Sequence, residues 1–365
     1  MTHIDFPLAL DAIKERIANI HPLQYAKTRN FLTGAVTLLS PYLSRGVISL
    51  PQVKHEILRN YSVYQSEKLL QELAWREYYQ RIWQSKEDLI FTDLKHPQEQ
   101  VKHYKIQEAV LQANTGIQAI DDGIEQLYST GYMHNHLRMY TAMLSCNIGK
   151  AHWLLPAQWM YYHLLDGDLA SNALSWQWVA GSFSSKKYVA NQENINRYTG
   201  SIQTNSFLSV EYDAFENLPV PEPLKEVHSL SLSTALPDSE KTNKKNDPVF
   251  VYNSYQLDPE WHAGEEGHRI LLLEPAHFEK YPVSNTVLSF IIQLGRHNIP
   301  GLTLFTGSFN ELATSFPGSK IYYKEHPLTK HYSGIQEQRS WMFPEVTGYY
   351  PSFFSYWKKC ERYLR

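Results

Sequence analysis

Apolar residues recur at helical spacing over the first 200 positions and at strand spacing after about position 247. Leu8, Ile13, Ile17 and Ile20 fall on one stripe, and residues 65–84 carry Leu69, Leu73, Arg76 and Tyr79 at the same interval. Residues 117–148 and 153–180 predict further helices. Asp5 before Pro7, and Thr115-Gly116 before residue 117, read as helix starts. Period-two alternation is scarce in this region.

The stretch VPEPLKEVHSLSLSTALPDSEKTNKKNDP breaks the pattern. It is rich in Pro, Ser and Lys, has little periodicity, and reads as a linker that is partly mobile near 236–247. Beyond it PVFVYN, HRILLLEP, LTLFTG and KIYYKEHP read as short buried strands, with NTVLSFIIQLGRH as a helix between them. Strands alternating with helices predict a small parallel-sheet, Rossmann-like α/β domain. The expected organisation is a mainly α domain at 1–200, a linker at 201–247 and the α/β domain at 248–365, with an aromatic end at 331–365 that is helical or irregular. No internal repeat, GxGxxG or P-loop pattern is present.

Composition adds limits. The chain has 365 residues and a formal net charge of −3, so overall charge does not point to nucleic acid, although a local basic groove stays open. Aromatic content of 13% supplies a large core and rings that can stack on bases or flat ligands. The two cysteines, Cys146 and Cys360, are far apart and form no CxxC, which excludes a disulfide scaffold and an all-cysteine metal cluster. MTHIDFPLAL lacks the features of a secretory signal, and no apolar run is long enough to span a bilayer. The expectation is a soluble, cytoplasmic, monomeric protein.

The densest candidate chemistry is DGDLASNALSWQW at 166–178. As a helix it places Asp168, Asn172 and Trp176 on one face, with Trp178 about 200° from Trp176. Gly167 admits a close neighbour, and acids are favourable at a helix start. An ordinary capped core helix explains the same residues. A calcium loop fits only the opening Asp166-x-Asp168, without the later glycine and glutamate. Upstream, STGYMHNHLRM offers Arg138 as a buried partner for a carboxylate such as Asp166, while His134 and His136 fall on opposite helix faces and make a poor metal pair. ELAWREYY places Glu72, Trp75 and Arg76 on one face, either as a surface ion-pair helix or as a pocket lining. LTGAVTLLSPYLSRGVIS brings the hydroxyls of Thr33, Thr37 and Ser40 near a helix start, an arrangement that suits phosphate.

Read together, YAKTRN, TLLSPYLSRGVIS, ELAWREYY, TGYMHNHLRM and DGDLASNALSWQW resemble, in order, the flavin-binding domain of the photolyase/cryptochrome family over about residues 20–200. The resemblance implies a helical domain holding FAD in a folded shape. It implies Tyr25, Thr37 and Ser40 near the flavin phosphates and Arg76 in contact with the flavin. Arg138 and Asp166 would form the salt bridge beside the isoalloxazine, followed by Gly167, with Asp168 on the flavin and ribityl region and Asn172 facing its N5. Trp176 and Trp153 match the first two members of an electron-supplying tryptophan chain, and Arg29 matches a position that approaches DNA. Glu72, Trp75, Asn135, Met139 and Trp178 match the contacts to a cyclobutane pyrimidine dimer. Neither Asn135 nor Met139 is histidine, which favours that lesion over the (6-4) photoproduct.

Several positions depart from the family pattern. No tryptophan stands near residue 100, where a third chain member belongs, and Tyr104 is the nearest aromatic. Leu69 stands where a tryptophan is usual, and KKYVANQENINRYTG replaces the usual segment after the second tryptophan. The α/β pattern after residue 247 resembles a shortened antenna domain at the opposite end of the chain, with GSFNEL similar to one of its turns. VYNSYQLDPEW replaces the basic residues that usually follow its first strand, so the resemblance leaves a second chromophore unknown. The implied function is light-driven splitting of cyclobutane dimers in UV-damaged DNA by a deoxyribodipyrimidine photolyase. The alternative is a cryptochrome-like photoreceptor that signals to a protein partner.

Overall fold

The computed structural model describes residues 4–241 and 246–364. It forms two compact units, each discontinuous in sequence. One comprises residues 1–22, 37–84 and 233–365; the other comprises 23–36 and 85–232. The structure therefore groups the chain differently from a linear division at 200 and 247, because residues 37–84 share a unit with the sheet.

The chain opens the first unit with α1 (Leu10–Ala18), which buries Ile13 and Ile17. Its N-cap position is Ala9 and carries no side-chain cap, so Asp5 does not start the helix. α2 (Leu50–Asn60) is started by a capping box in which Ser49 and Gln52 satisfy each other's backbone N–H groups. α3 (Val63–Lys86) is a continuous helix of 24 residues.

The second unit holds β1 (Ile106–Gln107), α4 (Gln118–Thr130), α5 (Asn135–Met143), α6 (Leu154–His163), α7 (Leu169–Ala180), α8 (Gln192–Thr199) and β2 (Val227–His228), the last antiparallel to β1. The two long helices expected from periodicity each break once. Gly131, at φ +71°, ends α4 in the left-handed conformation that glycine tolerates. Asp168 caps α7 by accepting a hydrogen bond from Ser171 N, so 166–168 is loop and cap rather than helix. Thr115 is no N-cap; its hydroxyl donates to Asp121 at 2.6 Å while accepting from Ile117 N. Trp153, Trp159 and Trp176 are buried in one apolar cluster with Ile120, Met143 and Leu144.

The chain then returns to the first unit. β3 (Val249–Tyr252), β4 (His268–Leu273), α9 (Asn285–Asn298), β5 (Leu302–Thr306), α10 (Phe309–Ser315), β6 (Ile321–Lys324), β7 (Ile335–Glu337) and α11 (Phe353–Cys360) follow in order. The sheet order is β5-β4-β3-β6-β7, all parallel. All four residues of β3 are buried, as a central strand covered on both faces requires. The expected Rossmann-like parallel domain is borne out. Within the expected linker, 237–240 is tied to the sheet. Glu240 N donates to Leu304 O, Thr306 Oγ1 donates to Pro237 O, and Ser239 Oγ exchanges hydrogen bonds with Thr306, which covers the exposed edge of β5. The remainder of the 236–247 expectation includes 242–245, which lie outside the described residues. Among the described residues no helix is long and apolar enough to cross a membrane.

Gly46 secures one join within this unit. At φ +66° it lies so close to the loop after β3 that a Cβ would sit 2.4 Å from Tyr255 O. Its neighbour Arg45 accepts from Leu257 N at 2.9 Å and directs Nη1 toward Ser254 O. A side chain at position 46 would meet both the strained backbone angle and that carbonyl.

Candidate functional site: a polar face among buried tryptophans

The helical unit gathers most of the expected cofactor residues. Arg138, on α5, donates from Nη2 to Asp166 Oδ2 at 2.9 Å and from Nε to Met133 O at 2.8 Å. The Asp166 side chain is only 4% exposed. A buried ion pair stabilises little by itself, and a pair fixed by extra backbone contacts is a common sign of a site. Burial pushes the Tyr132 hydroxyl up to about 12, with the Arg138 guanidinium 5.4 Å from its ring. Gly167 packs on the Tyr161 ring, where a Cβ would lie 3.2 Å from two ring carbons. Asp168 is buried at the α7 cap, and Asn172, one turn on, donates from Nδ2 to Ala157 O at 2.8 Å. Trp176 follows after another turn, buried.

The same elements carry a buried polar atom for which the described residues supply no hydrogen-bond partner, Ser171 Oγ on α7. A guanidinium, two carboxylates, a carboxamide and this hydroxyl form a mixed donor and acceptor set. That chemistry fits a flat heterocycle with alternating carbonyl and N–H groups, such as an isoalloxazine. His134 accepts from His136 N at its cap, and burial holds its protonation down to about 4. His136 packs on Tyr140 and faces Asn30 O, so both histidines are engaged in capping and packing.

Trp153 donates its indole N–H to Asp93 Oδ1 at 2.8 Å. His152 Nε2 lies 3.3 Å from the same oxygen, and Gln98 N donates to Asp93 Oδ2. Tyr104, 73% exposed, stacks on His152 with ring centroids 4.9 Å apart. Sequence reading missed Asp93 and His152: Asp93 sits 60 positions before Trp153, and FTDLKHP carries no periodic signal.

Of the expected substrate contacts in this unit, Asn135 is exposed, Met139 half-buried and Trp178 37% exposed. Asn135 Nδ2 lies 3.8 Å from Met139 Sδ, and Trp178 leans toward Tyr188. Tyr25 lies on the short helix Pro22–Thr28, and Arg29, just after it, donates from Nη1 to Ala26 O. Both are half-buried.

Thr37, Ser40, Glu72, Trp75 and Arg76 belong to the other unit. Thr37 Oγ1 accepts weakly from Leu39 N, and between them Leu38 holds φ +52°, a strained value that clusters at ligand-binding loops. Ser40 opens the short helix Ser40–Ser44. Glu72 pairs with Lys68 one turn back at 3.0 Å, as the surface ion-pair reading of this helix expects. Trp75 corrects the picture of a ring left open for a ligand. It stacks on Phe353 of α11, with centroids 3.9 Å apart and planes 10° off parallel. The reason is Glu77, buried two positions on, which accepts from Met342 N, Phe343 N and Tyr356 Oη and so fixes the C-terminal segment along α3. Arg76 is close enough to buried His326 to oppose its protonation, after burial itself, Arg339 and His277.

In the sheet, the direction of strand order reverses between β3 and β6, the place where open α/β sheets take ligands at the carboxyl ends of their strands. Side chains fill it here. Tyr255 after β3 and His326 after β6 have ring centroids 4.7 Å apart, and Trp83 of α3 packs on His326 at 5.0 Å. Glu274, following β4, is held by Tyr332 Oη at 2.8 Å, His331 Nε2 at 2.9 Å and Phe309 N.

Part of the chain is similar in sequence to known proteins. Residues 69–203 match the family model described as the FAD binding domain of DNA photolyase. A deoxyribodipyrimidine photo-lyase of Alkalihalophilus pseudofirmus is 31% identical over 168 residues, covering 43% of this chain and 34% of the relative. One from a Synechococcus strain is 34% identical over 169 residues, covering 43% of this chain and 35% of the relative. The chain thus spans about a third of the length of these relatives. Among solved structures, a bacterial class III photolyase from Agrobacterium tumefaciens aligns with TM-score 0.46 and 27% identity, over 52% of this chain and 42% of that one.

Proposed function

We propose that this chain, which belongs to the photolyase/cryptochrome family and carries its FAD-binding domain, repairs cyclobutane pyrimidine dimers in UV-damaged DNA under blue light. The observation that carries this reading is the fixed Arg138–Asp166 pair, with Asp168 and Asn172 beside it on the helix that bears buried Trp176. Bound and reduced, the flavin supplies a light-driven electron to the dimer. Arg138, Asp166, Asp168 and Asn172 would hold it in a dry, charged setting. Trp176 and Trp153 feed electrons inward. Asn135, Met139 and Trp178 remain accessible on the same unit to meet an extruded dimer, with Arg29 on the DNA backbone. Stacking on Trp178 contributes ~1–3 kcal/mol per base and offsets the cost of extrusion. Tyr25, on the same unit, completes the cofactor contacts.

One observation favours a second reading. Phe353 covers a face of Trp75, as expected if the chain is a cryptochrome-like photoreceptor that no longer stacks a dimer there. A repair assay separates the two. The chemically reduced, FAD-loaded protein is mixed with oligothymidylate containing cyclobutane dimers, and thymine absorbance is followed in blue light and in the dark. Recovery in light alone is the expected result. A yellow, photoreducible protein that restores no absorbance would leave the photoreceptor reading standing.

A further inference from the structure

We propose that Lys102, Lys150 and Lys187 form a phosphate-binding site on the helical unit, built for the tetrahedral oxyanion of a phosphate ester. None of the three belongs to the residues assigned above to flavin or dimer, and the site needs neither light nor a lesion to fill.

Three separate segments bring the lysines together. The chain at 102–103 runs beside 150–152, with Lys102 N donating to Lys150 O at 2.9 Å and His152 N donating to His103 O at 2.8 Å. The loop after α7 supplies Lys187. That loop is held by Ser184 Oγ, which lies 2.7 Å from both Trp178 O and Lys186 O, and by Ser182 O, which accepts from Lys95 N and His96 N at 3.1 Å. The cluster is therefore fixed by backbone contacts before any ligand arrives, which lowers the ordering cost of binding.

At the meeting point Lys150 Nζ donates to Gln100 Oε1 at 2.9 Å. Lys187 Nζ donates to Glu99 O at 3.0 Å and to the same Gln100 oxygen at 3.4 Å. Two ammonium groups thus share one neutral acceptor. Among the described residues no carboxylate forms an ion pair with any of the three lysines. Glu99 is near enough to favour the charge on Lys187, but its backbone carbonyl, not its carboxylate, takes the hydrogen bond. Burial opposes the protonation of Lys150, and the charges of Lys187 and Lys102 oppose it further. Like charges gathered in a partly dry setting cost stability, and an anion bound among them removes that cost.

The backbone carries a second sign. Gln100 and Lys150 hold left-handed conformations, at φ +59° and +61°, although neither is glycine. Such strain persists where the surrounding structure fixes it, and it gathers at ligand sites. Here the two strained residues are the two whose side chains meet.

The donors set the ligand class. Ammonium groups are compact point charges with three donors each, which suits the oxygens of a phosphate, whereas a planar carboxylate is matched best by a guanidinium fork. Lys150 is only 8% exposed, while Lys102 and Gln100 are exposed, so the cluster opens to solvent on the side of residues 100–102. Lys105 and Lys186, both exposed, stand on the same stretches of chain and extend the positive charge beyond one phosphate.

The test uses the full chain in the dark with two probes, inorganic pyrophosphate followed by titration calorimetry and undamaged, fluorescein-labelled oligothymidylate followed by anisotropy. The wild-type chain is expected to bind pyrophosphate saturably. Lys187→Gln keeps a hydrogen-bond donor but no charge, and should weaken that binding about tenfold or more, as should Lys102→Gln. Lys187→Arg, which keeps the charge, should restore most of it. Lys225→Gln removes a lysine paired with Glu222 elsewhere on the unit and should change affinity by less than about twofold. Circular dichroism confirms that each variant is folded. If Lys187→Gln weakens both probes and pyrophosphate displaces the oligonucleotide, the phosphate belongs to a nucleic-acid strand, and the log–log salt slope of that binding falls by about 0.7 per lysine removed. If pyrophosphate binding alone is lost, the ligand is a free phosphorylated compound. Either result supports the site. A wild-type chain that does not bind pyrophosphate saturably, or a Lys187→Gln chain that binds it as tightly as wild type, overturns it. Dimer repair is scored separately, so a failure here leaves the repair reading standing, and a failure of repair leaves this site standing.

Discussion

Two places in this molecule resemble ligand sites by architecture, and they are furnished in opposite ways. The face of α7 in the helical unit keeps charged groups buried and fixed, Arg138 on Asp166 and Asp168 on its cap, and leaves the Ser171 hydroxyl for something else to satisfy. The carboxyl end of the parallel sheet has the strand order of a nucleotide-binding fold, yet Tyr255, His326 and Trp83 occupy its switch point. Fold alone would nominate both. Site chemistry nominates the first, and the second serves as packing between sheet and α3.

The sharpest way to break this contrast is to damage each place and ask what is lost. Arg138→Ala strands the buried Asp166 carboxylate, and removing one member of such a pair costs about 3–5 kcal/mol. The expected outcome is a less stable protein that purifies colourless, read by denaturant unfolding and by flavin absorbance per mole of chain. Flavin retained at wild-type content would mean that the ion pair is structural only.

Trp83→Ala should destabilise by a comparable or slightly smaller amount, about 3–5 kcal/mol for a large buried aromatic that leaves a cavity. Here the folded fraction should keep its flavin. Loss of yellow colour from protein that circular dichroism reports as folded would join the two regions functionally and undo the distinction.

Much of this was legible in the sequence, for identifiable reasons. The Asp168/Asn172/Trp176 face needed only helical spacing, and that spacing holds because Asp168 turned out to be the cap from which the count begins. The parallel strands were legible because each is a short apolar run between turn residues. The break at Gly131 was not, since apolar residues flank it closely and only the left-handed glycine interrupts the backbone, while the acids at 166–168 already hinted at the helix start that Asp168 caps. Contacts between distant segments left no trace at all. Nothing in SPYLSRG or ELAWREYY announces that residues 341–360 pack along α3, a partnership set by buried Glu77 and its three donors. Likewise the Pro-, Ser- and Lys-rich composition of 220–248 said linker, while the backbone and hydroxyl groups of 237–240 close a sheet edge.

A smaller effect sharpens the account of the helical unit from within. His134 caps α5 beside the polar face, and burial, reinforced by the nearby charges of His136 and Arg138, pushes its protonation from 6.5 down to about 4. In the unfolded chain the same imidazole takes up a proton near its ordinary value. The stability it contributes is therefore full above about pH 6.5, is lost as pH falls toward about 4, and changes no further below that. Between about pH 7 and about pH 5 one such histidine accounts for about 2 kcal/mol. His134→Asn keeps a side-chain oxygen able to accept from the cap N–H but cannot titrate. Urea unfolding across this range should show the variant less acid-sensitive by that amount, with the other buried histidines supplying the slope that remains. If the variant and the wild-type chain lose stability in parallel, His134 is already solvated in the folded state. The polar face would then be open to water, and the dry setting assigned to Arg138 and Asp166 would have to be abandoned.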